Sequence, residues 1–167
     1  IIMKKISITK VKDRDINFYL NSRNLTINRK YSLNSNKISN IDHYNWWFNQ
    51  KRRKSFIVKK EGKKIIILTE DCYNIKKIKF LTVGFISCVE NISVFDSLQA
   101  IKWQNRRLAK FKNAVCFLTI HKKNYFGKLH VKYYGYLKLE KKNKFFDQIN
   151  SIAKIDMKFS YFYKIIS

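Results

Sequence analysis

Three observations predict an α/β layer arrangement with a mixed sheet (α+β) for this 167-residue chain. Short runs rich in Ile, Val, Phe and Tyr alternate with longer stretches whose apolar residues recur every three or four positions. Pro is absent and Gly occurs only 4 times, so no Ser/Gly/Pro linker divides the pattern. Hydrophobic residues make up 46% and aromatic residues 16%, enough to build a core despite a formal net charge of +25. Neither an internal repeat nor a Ser/Gly/Pro linker interrupts the chain, and residues 1–167 read as one domain.

Residues 4–11, KKISITKV, alternate roughly enough to form a first strand. Asp13 is expected to cap a short helix from Arg14 to about Arg23 that buries Ile16, Tyr19 and Leu20. The Asn-, Ser- and Lys-rich stretch up to residue 40 reads as a loop. Ser39 followed by Asp42 is a capping-box variant, with Asp in place of Glu or Gln. It opens a helix to about Lys51, with Ile41, Tyr44, Trp47 and Phe48 on one face and the cations of KRRK at its negative end. SFIVKKEGKKIIILTE is a hairpin turning at Glu61-Gly62, where Gly supplies the positive φ.

Lys77–Val89 forms the next strand. Asn91 or Ser93 then caps a long helix through Phe111, with Val94, Leu98, Ile101, Leu108 and Phe111 as its apolar stripe. Asp96 near its start and Arg106, Arg107 and Lys110 near its end match the helix dipole. NAVCFLTI is a buried strand, and NYFGKLHVKYYG is a short helix closed by Gly135. Tyr136–Glu140 and about Lys158–Ile166 complete the sheet, for an order β-α-α-β-β-β-α-β-α-β-β.

The positive charge predicts an anionic partner: nucleic acid, an anionic membrane surface or a phosphorylated small molecule. Lys, Asn, Ile, Tyr and Phe share AT-rich codons, so nucleotide composition accounts for part of the lysine excess. Cys72, Cys88 and Cys116 are scattered and odd in number, which reads as reduced thiols with no disulfide frame and no metal site. Apolar runs stay far below the roughly 18 residues of a membrane span. IIMKKISITK lacks the apolar core of a signal peptide, so the expected compartment is the cytoplasm.

One pattern is more specific. Leu20, Arg23-Asn24, Arg29, Ser32, Asn34, Ile38-Ser39, His43 and Trp47-Phe48 keep the spacing L-x-x-R-N, R, S-x-N, I-S-x-x-x-H-x-x-W-F. After the strand CFLTI, Asn124 opens a helix that closes on Gly135-Tyr136. Together these resemble the GNAT (GCN5-related) N-acetyltransferases, in particular those of the pseudaminic-acid pathway type that act on nucleotide-linked amino sugars. The resemblance covers nearly the whole chain and implies the GNAT fold, acetyl-CoA as acyl donor and a nucleotide-linked amino sugar as acceptor. Residues 1–76 would form the acceptor side and 77–167 the acyl-CoA side. Two positions depart from the family. SCVENISVFDS stands where a Gly-rich pyrophosphate turn is usual, and Val131 stands where a tyrosine often serves as general acid.

Acetyl transfer to an amine needs a proton acceptor for the amine, donors for the developing oxyanion and a proton for the leaving thiolate. The resemblance implies a fourth strand splayed from its neighbour, with the main chain of Ser87, Cys88 and Val89 holding the pantetheine arm. Asn124 and Lys128 are further cofactor candidates. Glu90, just past that strand, is the candidate base or water-orienting group, set against a solvated surface glutamate. His130, beside Val131, is the second catalytic candidate because free imidazole titrates near neutrality; a packed helix histidine is the alternative. On the acceptor side, Arg23 and Arg29 suit phosphate or sugar, since guanidinium pairs oxyanions bidentately. Asn24 would line the site or brace the loop, and His43 would bind or pack. Trp46 is the candidate for stacking on a sugar or uracil ring, with Trp47 and Phe48 in the core.

Two other functional classes fit the composition: a basic RNA-associated or ribosomal protein without catalysis, and a GNAT scaffold that has lost activity. The basic residues are dispersed, without a basic tail, an RNP box or a GXXG loop. Homo-oligomerisation is left open.

Overall fold

The computed structural model describes residues 6–166. Its strand order is β1-β2-β3-β4-β5-β7-β6, a seven-stranded mixed sheet, and the predicted α/β class holds. The chain folds as two compact units. One comprises residues 1–71 and 84–107, the other 72–83 and 108–167.

In the first unit, β1 (Ile6–Lys10), β2 (Arg53–Lys60) and β3 (Lys63–Ile75, here as far as Asp71) form an antiparallel meander. Lys4 and Lys5, expected in the first strand, lie outside the described residues. The hairpin turns at Glu61 (φ 50°) and Gly62 (φ 79°), the positive-φ pair of a tight turn compatible with strand twist. β2 and β3 are buried on both faces, which explains their unbroken apolar runs. Ile57 and Ile67 pack with Tyr19, Trp46 and Trp47, whereas Phe56, Val58, Ile66 and Leu68 pack with Ala100 and Trp103.

Several local expectations are corrected here. Asp13 does not cap the first helix. A 3-10 turn, Asp13–Asp15, leads into α1 (Ile16–Arg23); Asp15 Oδ2 accepts from the Lys12 amide at 3.0 Å, and Asp13 accepts from Trp47 Nε1 at 3.0 Å. The expected loop contains a helical turn, α2 (Thr26–Arg29). α3 (Asn40–Asn49) starts at Ser39 as expected, whose hydroxyl accepts from the Asp42 amide. Its buried face is different, however: His43 is buried, while Ile41 and Phe48 are 74% and 71% exposed. KRRK does not close α3, because Arg53 and Lys54 already belong to β2.

α4 (Val94–Leu108) buries Ile101 and Leu108 as expected, but the rest of its inward face differs. Val94 and Leu98 are exposed, and Asp96, Ser97, Ala100, Ile101 and Gln104 are buried. The polar members have partners: Asp96 pairs with Lys60 at 2.9 Å and Gln104 donates to the Thr69 carbonyl at 3.1 Å. Arg107 likewise pairs with buried Glu70 at 2.9 Å. A stripe search for apolar residues misses such a face.

In the second unit, the start of β4 (Ile78–Ser87) runs parallel to β5 (Ala114–His121), from Lys79 opposite Ala114 to Thr82 opposite Phe117. β5 pairs antiparallel with β7 (Phe159–Ile166), which pairs with the short β6 (Leu137–Lys138). β5 alternates inward residues: Val115 and Phe117 face one cluster, Cys116 and Leu118 the other. The first cluster is covered by α6 (Phe146–Ala153), a helix absent from the expected order, through Phe145 and Ile149. The second is covered by α5 (Tyr125–Tyr133) through Val131. α5 ends as expected at Gly135 (φ 70°), with the Tyr136 amide bonded to the Val131 carbonyl at 2.9 Å and the Gly135 amide to that of Lys132.

Candidate active site

The acceptor-side residues cluster on α1–α3 of the first unit, and most are committed to structure. The Asn24 carboxamide spans the Ile38 peptide, donating to its carbonyl and accepting from its amide at 2.9 Å each, so it braces the loop. Arg29 donates to the carbonyls of Asn24 and Ser35 at 3.1 Å. His43 places Nε2 3.0 Å from the Ile16 carbonyl, which requires the proton on that nitrogen. Burial lowers its pKa, so it is a neutral strut between α3 and α1. Trp46 does not lie on the outer face. It packs 5.7 Å from Tyr19 and 5.5 Å from His43, with the Arg53 guanidinium 5.3 Å from its ring.

Arg23 differs from these. It occupies the last turn of α1, half-buried, and forms neither hydrogen bond nor ion pair among the described residues. Burial lowers its pKa; Tyr19 opposes the lowering, and the Arg53 charge adds to it. Arg53, starting β2, is satisfied by Asp71 through Nε at 3.0 Å and Nη2 at 2.7 Å.

The end of β4 is organised by a residue that sequence reasoning missed. Asn28, in α2, donates from Nδ2 to the Ser87 carbonyl at 2.7 Å and accepts from the Ser87 amide at 2.9 Å. The same Nδ2 reaches the Ser22 carbonyl at 2.6 Å. One carboxamide thus replaces a neighbouring strand at Ser87. No sequence signal separates Asn28 from the other asparagines around it. The Cys88 amide is bonded to the Ile65 carbonyl at 2.9 Å, and Val89 exchanges bonds with Ser87 Oγ through both its amide and its carbonyl. The main chain expected to be open at Ser87–Val89 is therefore largely occupied. Since hydrogen-bonding direction alternates along a strand, Val83 and Phe85 share the outward edge of Ser87. Glu90 follows in the exposed turn after β4. The Cys88 thiol, pushed up to about 11 by burial, is protonated at neutral pH.

In the second unit, Asn124 is the N-cap of α5, accepting from the Gly127 amide at 2.9 Å. Gly127 lets α5 approach β5, because a Cβ there would lie 2.8 Å from Ile120 Cγ2. Lys128 is exposed, 5.4 Å from the Tyr125 ring. His130 packs edge-on to Tyr134 at 5.1 Å, and burial lowers its pKa to about 4. Its expected titration near neutrality is thus overturned by desolvation, and the ring is neutral at pH 7. Val131 is buried in the core of the unit.

Among the described residues no group of His, Cys, Asp and Glu is placed to hold a metal, and no helix is long and apolar enough to cross a membrane.

No protein-family model matches the chain, and no curated protein matches it by sequence. Solved structures do match. An N-acetyltransferase from Staphylococcus aureus Mu50 superposes with a TM-score of 0.67 at 9% identity, covering 98% of this chain and 99% of that one. The nucleotide-linked sugar GNAT FdhC, in its apo form, gives 0.66 at 14% identity over 97% of this chain and 87% of its own. The ribosomal-protein-S18-alanine N-acetyltransferase of Escherichia coli gives 0.63 at 11% identity over 98% and 95%. This chain has the fold shared by these N-acetyltransferases.

Proposed function

We propose that the chain is an acetyl-CoA-dependent N-acetyltransferase of the cytoplasm, acting on an amino group of a nucleotide-linked sugar used in surface or flagellar glycan synthesis. The observation that carries this reading is the geometry of β4. Its register with β5 covers Lys79–Thr82, yet the strand continues to Ser87, where a side-chain amide takes the place of a partner strand. Main-chain groups in this stretch suit an extended amide-bearing ligand that adds as a strand. The whole-chain likeness to N-acetyltransferases supports the reaction class. The Arg23–Phe48 pattern and the likeness to FdhC support the sugar acceptor.

Acetyl-CoA, when bound, supplies the thioester carbonyl that the acceptor amine attacks. Within one catalytic domain, residues 1–76 form the acceptor side and 77–167 the acyl-CoA side. The residues present fit a pantetheine arm on Val83 and Phe85, with Ser87, Cys88 and Val89 shaping the end of that edge. Lys128 offers an exposed cation for the cofactor phosphates, and Asn124 sets the start of α5 beside it. Glu90 takes or relays the proton of the amine. His130, neutral at pH 7, accepts a hydrogen bond more readily than it holds a proton. Arg23 meets the acceptor, with Asn24, Arg29, His43 and Trp46 holding its surroundings in place.

Isothermal titration tests the reading directly. Micromolar binding of acetyl-CoA is expected, with turnover on nucleotide-linked amino sugars, and Glu90→Gln should lower kcat with cofactor binding intact. Absence of acetyl-CoA binding at high protein concentration, with a short RNA bound at physiological salt instead, would overturn it. A Glu90→Gln protein with full turnover would remove Glu90 as the base.

A further inference from the structure

We propose that Arg23, Arg53 and the Tyr19 hydroxyl form a binding site for one anionic oxygen group, a phosphate or a carboxylate carried by the acceptor. The inference rests on the acceptor-side reading above and names the charge of the group that side receives.

Tyr19 is 2% exposed. Its ring is held by His43, Trp46 and Trp47 at centroid distances of 5.8, 5.7 and 5.6 Å, which fixes where the hydroxyl points. That hydroxyl meets no hydrogen-bond acceptor: the polar group beside it is the Arg53 guanidinium, which can only donate. Natural interiors rarely leave such a group alone, and one that persists marks a ligand-facing position or a cost met elsewhere. Arg23 lies four residues on, so both side chains leave the same face of α1. Its guanidinium is half-buried and without an acceptor among the described residues. Arg53 brings a second guanidinium, fixed over Trp46 and by two nitrogens on Asp71.

The group therefore holds two cations and one carboxylate, and that carboxylate is already engaged by Arg53. Desolvation and like charge both act against the Arg23 cation, as the lowering of its pKa reflects. A ligand oxyanion would relieve each deficit at once. It would accept from the Tyr19 hydroxyl and from the Arg23 fork, and it would balance the surplus positive charge. A neutral sugar hydroxyl would satisfy the hydroxyl but leave the charge uncompensated.

The test uses the full chain and two variants, Tyr19→Phe and Arg23→Gln, with inorganic phosphate, acetate and chloride at matched ionic strength. Phosphate or acetate should raise the melting temperature of the unmodified protein beyond the chloride control. Tyr19→Phe removes a buried hydroxyl whose proton has no acceptor, so without anion it should melt close to or above the unmodified protein. It should bind the anion about tenfold more weakly, the scale of one charge-assisted hydrogen bond. Arg23→Gln should lose the anion response. A larger response to phosphate assigns a phosphate ligand, and a larger response to acetate a carboxylate. Equal responses to all three anions, or unchanged anion affinity in both variants, would overturn the proposal. So would a Tyr19→Phe protein that melts lower and binds the anion equally well, since that marks an internal role for the hydroxyl. Titration of the same proteins with acetyl-CoA separates the two readings. Anion binding without acetyl-CoA binding keeps the site and removes the enzyme; the converse removes the site alone.

Discussion

Replacing Asn28 by Ala tests how the end of β4 is held. The change removes three hydrogen bonds, to the Ser22 carbonyl and to both main-chain groups of Ser87, at 2.6, 2.7 and 2.9 Å. Ser87 is buried, so its amide and carbonyl lose their partners in a place with little access to water. Each stranded group costs about 1–3 kcal/mol. A water entering the vacated volume recovers part of this, leaving roughly 3 kcal/mol of lost stability. For a chain of this size the melting temperature should fall by about 6–12 °C. Urea denaturation should show a lower midpoint with an unchanged slope. Asn28→Asp should be worse, because a carboxylate oxygen would face the two carbonyls to which Nδ2 now donates. An Asn28→Ala midpoint within about 0.5 kcal/mol of the unmodified protein would refute the assignment of Asn28 as the surrogate strand.

Acid should destabilise the protein through its buried histidines. Burial lowers the pKa of His130 to about 4 and lowers that of His43, so the unfolded chain binds their protons first as pH falls. Stability is thus full above about pH 6.5 and is lost on the way down to the folded pKa, by up to roughly 3 kcal/mol for His130. Urea midpoints at pH 7 and pH 5 measure the loss, and His130→Gln should flatten it; a flat profile in the unmodified protein would contradict neutral burial. Gly127→Ala places a Cβ 2.8 Å from Ile120 Cγ2 and should cost about 1–3 kcal/mol by pushing α5 off β5. Thermal melting checks this, and an unchanged melting temperature would show that α5 has room to move.

The parts of the fold that were legible in the sequence are those set by short-range chemistry. Ser39 and Asp42 open α3, Glu61-Gly62 turns the hairpin, and Gly135 closes α5, because each feature needs only neighbours along the chain. The apolar run of β5 announced a buried strand, and the runs of β2 and β3, expected only as a hairpin, are buried on both faces as well. Which face of a helix points inward was not legible where the buried positions are polar. On α4 the inward residues include Asp96 and Gln104, and on α3 the innermost is His43, each admitted by a partner far away in sequence. α6 was absent from the expected order although Phe146, Ile149 and Ile152 recur at helical spacing.

Among the candidate site residues, the sequence by itself determined the side-chain types present in the Arg23–Phe48 segment and where they stand along the chain. Only the tertiary structure decided which of them are still available. Asn24, Arg29 and His43 spend their hydrogen bonds on backbone carbonyls and amides, whereas Arg23 retains its own. It also decided that Tyr19 and Arg53, expected only as a core residue and a helix-end cation, stand with Arg23, and that His130 is neutral at pH 7. The physical reason is the same in each case. A polar group's chemistry depends on its desolvation and on the partners folding brings to it, and neither is a property of local sequence.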